Sequence, residues 1–226
     1  MTAPKIGVQL HPQATTTDEL RRAWRAADEM GVDSIWVWDH FYPLYGDPEA
    51  AHFEAYTLLA DMARTIDHLS GGRFTLGIGS GWFERDYDEY GFEFGTAIER
   101  LHKLRDALPR IKDRLGKLTP GPVGPLPILI GGSGEKVTLR LVAEHADGWN
   151  AFGPPESFAA KGAILDEWCA KVGRAPKTIE RTVAIRPDEI DRLDDYVAAG
   201  ADHLIVMLGS PFDLDPVSRL LDAARG

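Results

Sequence analysis

Short apolar segments and longer amphipathic segments alternate along the whole sequence, and this alternation restricts the possible folds more than any other feature. The short segments predict strands near residues 6, 35, 75, 128, 149, 181 and 205. The segments between them predict helices, because their apolar residues recur at helical spacing. A strand followed by a helix, repeated without a break, is typical of a parallel sheet covered by helices.

The number of predicted strands is one short of a closed eight-stranded barrel. The sequence therefore predicts an α/β fold of the (β/α)8 TIM-barrel type, shortened to about seven parallel strands. A length of 226 residues suits one such domain over residues 1–226. No linker, internal repeat or low-complexity tract in the sequence indicates a second domain.

Local signals set the limits of several predicted helices. Thr16 with Glu19, and Thr96 with Glu99, have the spacing of capping boxes, which begin helices. Pro109 lies inside the second of these helices and is expected to kink or divide it. Three longer stretches are predicted as one continuous helix over 53–69, a loop over 82–94 and a connector over 116–125.

Composition and charge disfavour several classes of function. The chain has 25 basic and 35 acidic side chains, and its formal net charge of −10 disfavours nucleic acid and anionic membranes as partners. No apolar run approaches the ~18 residues of a membrane span. The single cysteine, Cys169, lies on the apolar stripe of a predicted helix, which favours a packed thiol over a nucleophile. These features predict a soluble, cytoplasmic protein.

The stretch over 127–150 predicts an anion site. An apolar run ends at Gly131 and Gly132, Ser133 takes the expected N-cap position, and apolar residues then recur at helical spacing. A strand, a glycine turn and a helix N-terminus direct backbone amides and the positive end of a helix dipole toward one point, which suits a phosphate. The alternative is that these glycines, with Gly134, only let the chain reverse.

An acidic and a basic residue follow the second predicted strand, at the end of the barrel where loops converge. A carboxylate such as Asp39 beside the imidazole of His40 can hold one tautomer and tune it for proton transfer near neutral pH. The alternative is that Asp39 caps the following turn and His40 only hydrogen-bonds to it.

A glycine-rich segment follows the third predicted strand. Gly79, Ser80 and Gly81 would let a flat ligand approach the backbone, and Trp82 could stack on it. The alternatives are glycines needed only for their conformation and a Trp82 packed in the core. The sequence has no metal-binding spacing and no Gly-x-Ser-x-Gly motif. An organic cofactor is therefore the expected source of difficult chemistry.

Seven short segments spread over the sequence match motifs that occur together in one known family. They are the segments at 6–10, 34–41, 53–59, 67–74, 77–82, 128–134 and 146–150. Together they resemble the bacterial luciferase-like flavin monooxygenase superfamily, and within it the actinobacterial oxidoreductases that use the deazaflavin coenzyme F420. The resemblance implies a barrel with the ring of F420, or alternatively of FMN, over its mouth. It also implies hydride transfer to or from a small organic substrate.

The resemblance implies roles for individual residues. Asp39 and His40 match a polar pair beside the ring, where the histidine acts as acid or base. The residues that match a contact with the ring or the ribityl chain are Gly79, Ser80 and Gly81. The residues that match the phosphate-binding region are Gly131, Gly132, Ser133, Gly134 and Asn150. The candidates for binding the anionic tail of F420 are Lys136, Arg85 and Arg186.

One departure from the family concerns the segment over 53–69. Family members usually have a further strand and helix there, whereas this segment is predicted as one helix, so the third strand unit of the barrel is missing. The loss removes one wall of the cofactor site and leaves two strand edges. Three hypotheses follow: an active oxidoreductase, a non-catalytic flavin or deazaflavin binding protein, or a cofactor-free deletion form of the barrel. The open edge and the family likeness favour a homodimer.

Overall fold

The computed structural model describes residues 3–38, 63–117 and 120–226 of the chain. The described residues form two compact units. The first unit contains 3–38, Ala151–Ala160 and Arg181–Gly226, and the second contains 63–117, 120–150 and Lys161–Glu180. One domain over residues 1–226 stays a prediction.

Seven strands occur in the described ranges, and they coincide with the seven predicted from the sequence. They are β1 (Lys5–Leu10), β2 (Ser34–Trp36), β3 (Leu76–Ile78), β4 (Ile128–Gly131), β5 (Gly148–Ala151), β6 (Glu180–Ile185) and β7 (His203–Leu208). In the first unit the strands pair in parallel in the order β2, β1, β7, β6. In the second unit the parallel order is β5, β4, β3. The prediction of a parallel α/β fold is therefore confirmed.

Helices separate these strands along the chain. The α-helices of the described ranges are α1 (Thr17–Met30), α2 (Ala63–Ser70), α3 (Glu84–Tyr90), α4 (Ala97–Leu115), α5 (Thr138–His145), α6 (Pro155–Val172), α7 (Leu193–Ala198) and α8 (Asp215–Arg225). Short 3-10 turns cover Pro176–Thr178 and Pro187–Arg192. Both predicted capping boxes form, because the Glu19 N–H donates to Thr16 over 3.2 Å and the Glu99 N–H donates to Thr96 over 3.3 Å.

Each unit has its own apolar core. In the first unit, Ile6 and Val8 of β1 are fully buried, and in the second unit Ile130 and Trp149 are fully buried. Burial of successive residues along one strand is expected when helices cover a parallel sheet. Cys169 of α6 is also fully buried, so its thiol is packed as predicted.

Two expectations about helices differ from the structure. Of the kink or division predicted at Pro109, the division does not occur, because α4 continues through this residue; Leu104 and Leu108, both buried, pack this part of the helix into the core. The loop predicted over 82–94 contains the short helix α3, which Gly91 ends in a left-handed conformation with φ of 68°. Of the helix predicted over 53–69, residues 53–62 lie outside the described residues, and the remainder falls in α2.

Three aspartates repeat one contact at the starts of strands. Asp33, Asp147 and Asp202 each precede a strand, and each backbone N–H donates to a carbonyl of the neighbouring strand over 2.7–2.8 Å. The same residue of that strand donates its own N–H to the aspartate Oδ2 over 2.7–2.9 Å. Each aspartate therefore pairs like one additional strand residue and fixes the register of two parallel strands.

Replacing Asp147 by alanine is expected to lower the free energy of unfolding by about 2 kcal/mol, because the Ile128 N–H loses an acceptor at the edge of the core. Asp147→Asn should lose less, since its amide oxygen still accepts. Urea denaturation measures both. Asp113→Ala is the matched control, because Asp113 is exposed on α4 and contacts only the solvent-exposed Lys117 among the ion pairs described for it. Equal losses in the two alanine variants would contradict this role.

Membrane crossing needs a helix that is both long and apolar. Among the helices of the described ranges, none combines the length and the apolar composition that such a crossing requires.

Candidate functional site

The glycine turn after β4 is fixed by neighbouring backbone and by one buried ring. Gly132 has a φ of 118°, a conformation that side chains disfavour. Its N–H donates to the Asn150 carbonyl at the end of β5 over 3.0 Å. Its carbonyl accepts from Nε1 of the fully buried Trp149 over 2.8 Å. The turn is therefore held at the carboxyl ends of β4 and β5.

The helix after this turn begins later than predicted. Val137 is the N-cap of α5, so the N-cap role predicted for Ser133 is wrong. The reason is an intervening wide turn, in which the Leu139 N–H donates to the Gly134 carbonyl over 3.0 Å. A Cβ on Gly134 would lie 2.8 Å from Thr138 Oγ1, so the turn also depends on a glycine here. Residues 133–137 consequently lie ahead of the helix rather than in its first turn.

This turn opens onto a cavity of about 430 Å³ within the second unit. The residues that line it are Leu101, Ser133, Gly134, Glu135, Lys136, Val137, Thr138 and Lys161. Two of these residues are lysines, Lys136 and Lys161, and they come from different elements, the turn and α6. Backbone, hydroxyl and ammonium donors around one cavity are suited to an anionic group such as a phosphate.

An ion pair occupies one side of this cavity. Lys161 Nζ lies 2.5 Å from Glu135 Oε1, and this hydrogen bond holds the pKa of the Glu135 carboxyl below its ordinary value. The Glu135 carbonyl accepts from Nε1 of Trp168 over 2.8 Å, which fixes the backbone of the turn to α6. Lys136 follows directly and is exposed. An incoming anion would therefore compete with Glu135 for Lys161.

Gly79, Gly131 and Asn150 form a row at the carboxyl ends of three neighbouring strands. Ile78 pairs with Ile130, so the next residues, Gly79 and Gly131, come side by side. Gly131 in turn pairs with Asn150. Residues in register on parallel strands point to the same face of a sheet. A Cβ on Gly79 or on Gly131 would have no other described atom within 4 Å, so no described residue fills the space over these two positions.

The loop after β3 is anchored by a buried arginine. Arg100 of α4 donates from Nε to the Gly81 carbonyl over 2.7 Å and from a terminal nitrogen to the Gly95 carbonyl over 2.9 Å. Its guanidinium lies 3.7 Å from the centre of the Phe94 ring. A Cβ on Gly81 would collide with the Tyr87 hydroxyl. The next residue of α4 is Leu101, which lines the cavity, so one helix contacts both the loop and the cavity wall.

The predicted cofactor residues therefore occupy one region. The residues placed at the carboxyl ends of the adjacent strands β3, β4 and β5 are Gly79, Ser80, Gly81, Gly131, Gly132, Ser133, Gly134 and Asn150. Lys136 lines the cavity there, whereas Arg186 lies in the first unit and pairs with Asp188 over 3.2 Å. Arg85 is on α3, 3.9 Å from Glu89. Asp39 and His40 lie outside the described residues.

Sequence reasoning missed two basic residues of this region. Lys161 is on α6, separated from the turn by 26 positions along the chain, and no local motif connects the two. Arg100 follows the capping box of α4 in an otherwise ordinary amphipathic pattern. The signal for Arg100 would have been a charged residue at a position that the helical period predicts to be buried. Arginine side chains are rarely buried without partners. Within the described residues no cluster of histidine, cysteine or carboxylate side chains is arranged to hold a metal ion.

The carboxyl end of β1 in the first unit carries a buried histidine. His11 stacks on Trp38 with 3.8 Å between ring centres and an angle of 19° between their planes. Its backbone N–H donates to the Leu208 carbonyl at the end of β7 over 2.9 Å. Burial lowers the pKa of His11 to about 4, so the imidazole is neutral at neutral pH.

Comparison with known proteins gives one matching family model, described as luciferase-like monooxygenase, over residues 55–208. Pyrimidine monooxygenase RutA of Enterobacter sp. (strain 638) is 27% identical over 171 residues, covering 65% of this chain and 47% of that protein. RutA of Stutzerimonas stutzeri is 29% identical with the same coverage. The chain spans about half the length of the curated relatives it matches.

Solved structures share the fold at low sequence identity. An F420-dependent secondary alcohol dehydrogenase in complex with an F420-acetone adduct aligns with a TM-score of 0.84 and 16% identity, covering 100% of both chains. The coenzyme F420-dependent tetrahydromethanopterin reductase of Methanopyrus kandleri aligns with a TM-score of 0.71 and 15% identity, covering 100% of this chain and 98% of that one. These likenesses confirm the predicted barrel-type fold.

Proposed function

Because the chain belongs to the luciferase-like monooxygenase family, we propose that it is an oxidoreductase that transfers a hydride between coenzyme F420, or alternatively FMN, and a small organic substrate. F420 stands first because the series of sequence motifs most resembles the oxidoreductases that use it. The family includes enzymes that use either coenzyme, and both serve as carriers of a hydride.

The row formed by Gly79, Gly131 and Asn150 is the observation that carries this proposal. Gly79 directly after β3 and Gly131 at the end of β4 are two side-chain-free positions side by side. They would let a flat ring lie against the backbone, and a Cβ at either position would enter that space. Asn150, next in the row, brings an amide that both donates and accepts hydrogen bonds. Polar groups at the edge of a flavin or deazaflavin ring need such a partner. The residues present therefore fit the ring.

The lysine-lined cavity next to this row fits the other end of either coenzyme. F420 and FMN both carry a phosphoryl group on the chain that leaves the ring. Lys136 and Lys161 offer ammonium donors, and Ser133 offers a hydroxyl, around the 430 Å³ cavity. The cavity starts two residues after Gly131, so the ring row and the anion cavity are continuous along one turn. When bound there, the coenzyme supplies or accepts the hydride.

The residues of the chain would then divide the work as follows. The glycine row and Asn150 orient the ring, and the lysines bind the phosphoryl group. We include His40 as the group that gives or takes a proton at the substrate, with Asp39 fixing its tautomer, as the family resemblance implies. Those two assignments rest on the sequence alone.

Lys161→Met is expected to weaken binding of the phosphorylated coenzymes about tenfold, because it removes a charged donor and leaves the Glu135 carboxylate to repel the phosphate. Fluorescence titration of the full chain with F420 and FMN measures this. Riboflavin, which lacks the phosphate, should bind the variant and the unchanged chain equally. Lys177→Met is the matched control, because Lys177 is exposed and outside the cavity.

Two results of this titration would count against the proposal. If Lys161→Met weakened the binding of FMN and of riboflavin equally, the cavity would not be the phosphate site. Failure of the unchanged chain to bind either F420 or FMN at high micromolar concentration would defeat the proposed function itself.

A further inference from the structure

Trp82 stands out because a large aromatic side chain is exposed next to the candidate site. It follows Gly81 at the carboxyl end of β3, and 66% of its surface is accessible to solvent. Burial of a large apolar side chain is favourable, so a tryptophan with this exposure gains stability if a ligand covers it. The neighbouring Phe83 ring makes an edge contact with it, with 5.6 Å between the ring centres.

The backbone that carries Trp82 is firmly held. The Gly81 carbonyl accepts from the buried Arg100 over 2.7 Å, and Arg100 is itself fixed by further contacts to the segment that precedes α4. The Tyr87 hydroxyl also lies against Gly81. An exposed ring on a fixed backbone is preorganised for a partner, because little conformational freedom is lost on binding.

The segment that follows Trp82 in the sequence is acidic, although Arg100 contributes one cation beside Gly81, whereas two lysines line the cavity. Between Phe83 and Gly95 the sequence contains five carboxylates and one guanidinium. The first of these carboxylates, Glu84, is two positions after the tryptophan. An indole face among carboxylates attracts cations through both its quadrupole and the local field, and it disfavours anions. The lysine-lined cavity has the reverse preference.

We propose that Trp82 is the surface on which the organic substrate stacks, and that the substrate class is a flat ring carrying no charge or a positive charge. The inference rests on the proposed function and adds the substrate class to it. The coenzyme takes the glycine row and the basic cavity, and the substrate takes the acidic, aromatic side of the same group of strand ends. Trp82 is thereby a specificity-determining residue.

Three quinoline probes of similar shape and different charge test this: 1-methylquinolinium, quinoline and quinoline-2-carboxylate. Affinities are measured by ligand-observed NMR titration of the full chain, with and without bound coenzyme. We expect the cation and the neutral ring to bind about tenfold more tightly than the carboxylate. Trp82→Ala should remove this difference, and Trp82→Phe should retain most of it. Trp24→Ala is the matched control, because Trp24 is 38% exposed on α1 in the first unit.

Several results would overturn the inference. They are equal binding of all three probes to the unchanged chain, tightest binding of the carboxylate, absence of probe binding, and unchanged affinities in Trp82→Ala. A loss of F420 or FMN affinity in Trp82→Ala would indicate that the Trp82 indole contacts the coenzyme instead of the substrate. A change from dimer to monomer mass in light scattering of Trp82→Ala would indicate that the Trp82 indole contacts a second copy of the chain. Coenzyme titration of the unchanged chain separates failure of the proposed function from failure of this inference.

Discussion

Replacing Gly131 by valine is expected to reduce the affinity for F420 or FMN about 30-fold, a change of roughly 2 kcal/mol, while the chain stays folded. Gly131 ends β4 and stands between Gly79 and Asn150 in the row proposed to receive the ring. A Cβ there meets no other described atom within 4 Å, so among the described residues none crowds the start of the valine side chain. The branched side chain would occupy the space of the bound ring.

The valine should be tolerated by the strand itself, because β-branched residues are favoured in strands. Fluorescence titration with both coenzymes gives the affinity, and urea denaturation gives the stability. Gly116→Val is the matched control, since Gly116 follows α4 in the same unit and is exposed. Unchanged coenzyme affinity in Gly131→Val would show that the coenzyme ring does not bind against this row. Equal loss of affinity in Gly116→Val would show that the effect is not local.

The strands could be predicted from the sequence because their signal is local. β4 is a short apolar run that ends at a glycine, and such a run is typical of a buried strand. The position of the candidate residues follows from the strands, since the residues after Ile78, Ile130 and Trp149 stand at adjacent strand ends once the strands pair in parallel. The alternation of strands and helices, rather than any one motif, predicts that the strands pair in parallel.

The start of α5 could not be placed from the same information. Ser133 has the residue type of an N-cap, but the chain first makes a wide turn closed by Leu139 and Gly134. N-cap preference is about 1 kcal/mol, and a hydrogen bond in a neighbouring turn has the same magnitude. Residue type alone therefore does not decide between them.

Long-range partners were beyond prediction for a different reason. Lys161 joins the cavity only because α6 packs beside the turn, and the contact with Glu135 spans 26 positions. The three aspartates that pair with a neighbouring strand, Asp33, Asp147 and Asp202, do leave a sequence signal. Each follows an apolar residue and directly precedes a strand, as Asp147 does after Ala146. This signal can be interpreted only when the neighbouring strand is known, because the residue that donates to the aspartate, such as Ile128, belongs to that strand.

A polar cluster fills the space beside Gly7 in the first unit. His203 Nε2 and Ser34 Oγ lie 2.8 Å apart, and Trp36 Nε1 donates to the same Ser34 oxygen over 2.5 Å. Gly7 pairs with Ser34 on β2, so its missing side chain is what admits these groups. A Cβ on Gly7 would lie 2.3 Å from Ser34 Oγ and 2.8 Å from His203 Nε2, distances that require atoms to move.

Gly7→Ala is therefore expected to lower the free energy of unfolding by about 3 kcal/mol, the upper part of the range for overpacking, because the displaced groups also lose their hydrogen bonds. Urea denaturation followed by circular dichroism measures the loss. Gly209→Ala is the matched control, since a Cβ there meets its nearest atom, His11 Nδ1, at an ordinary 3.9 Å.

The double variant Gly7→Ala with Ser34→Ala separates crowding from a general effect of alanine on the strand. Removing the Ser34 hydroxyl takes away the closest contact, so the two losses should sum to more than the loss of the double variant by about 1 kcal/mol. Additive losses would show that Gly7 and Ser34 act independently. A loss in Gly7→Ala no larger than that in Gly209→Ala would contradict the crowding itself, because backbone entropy alone favours alanine over glycine.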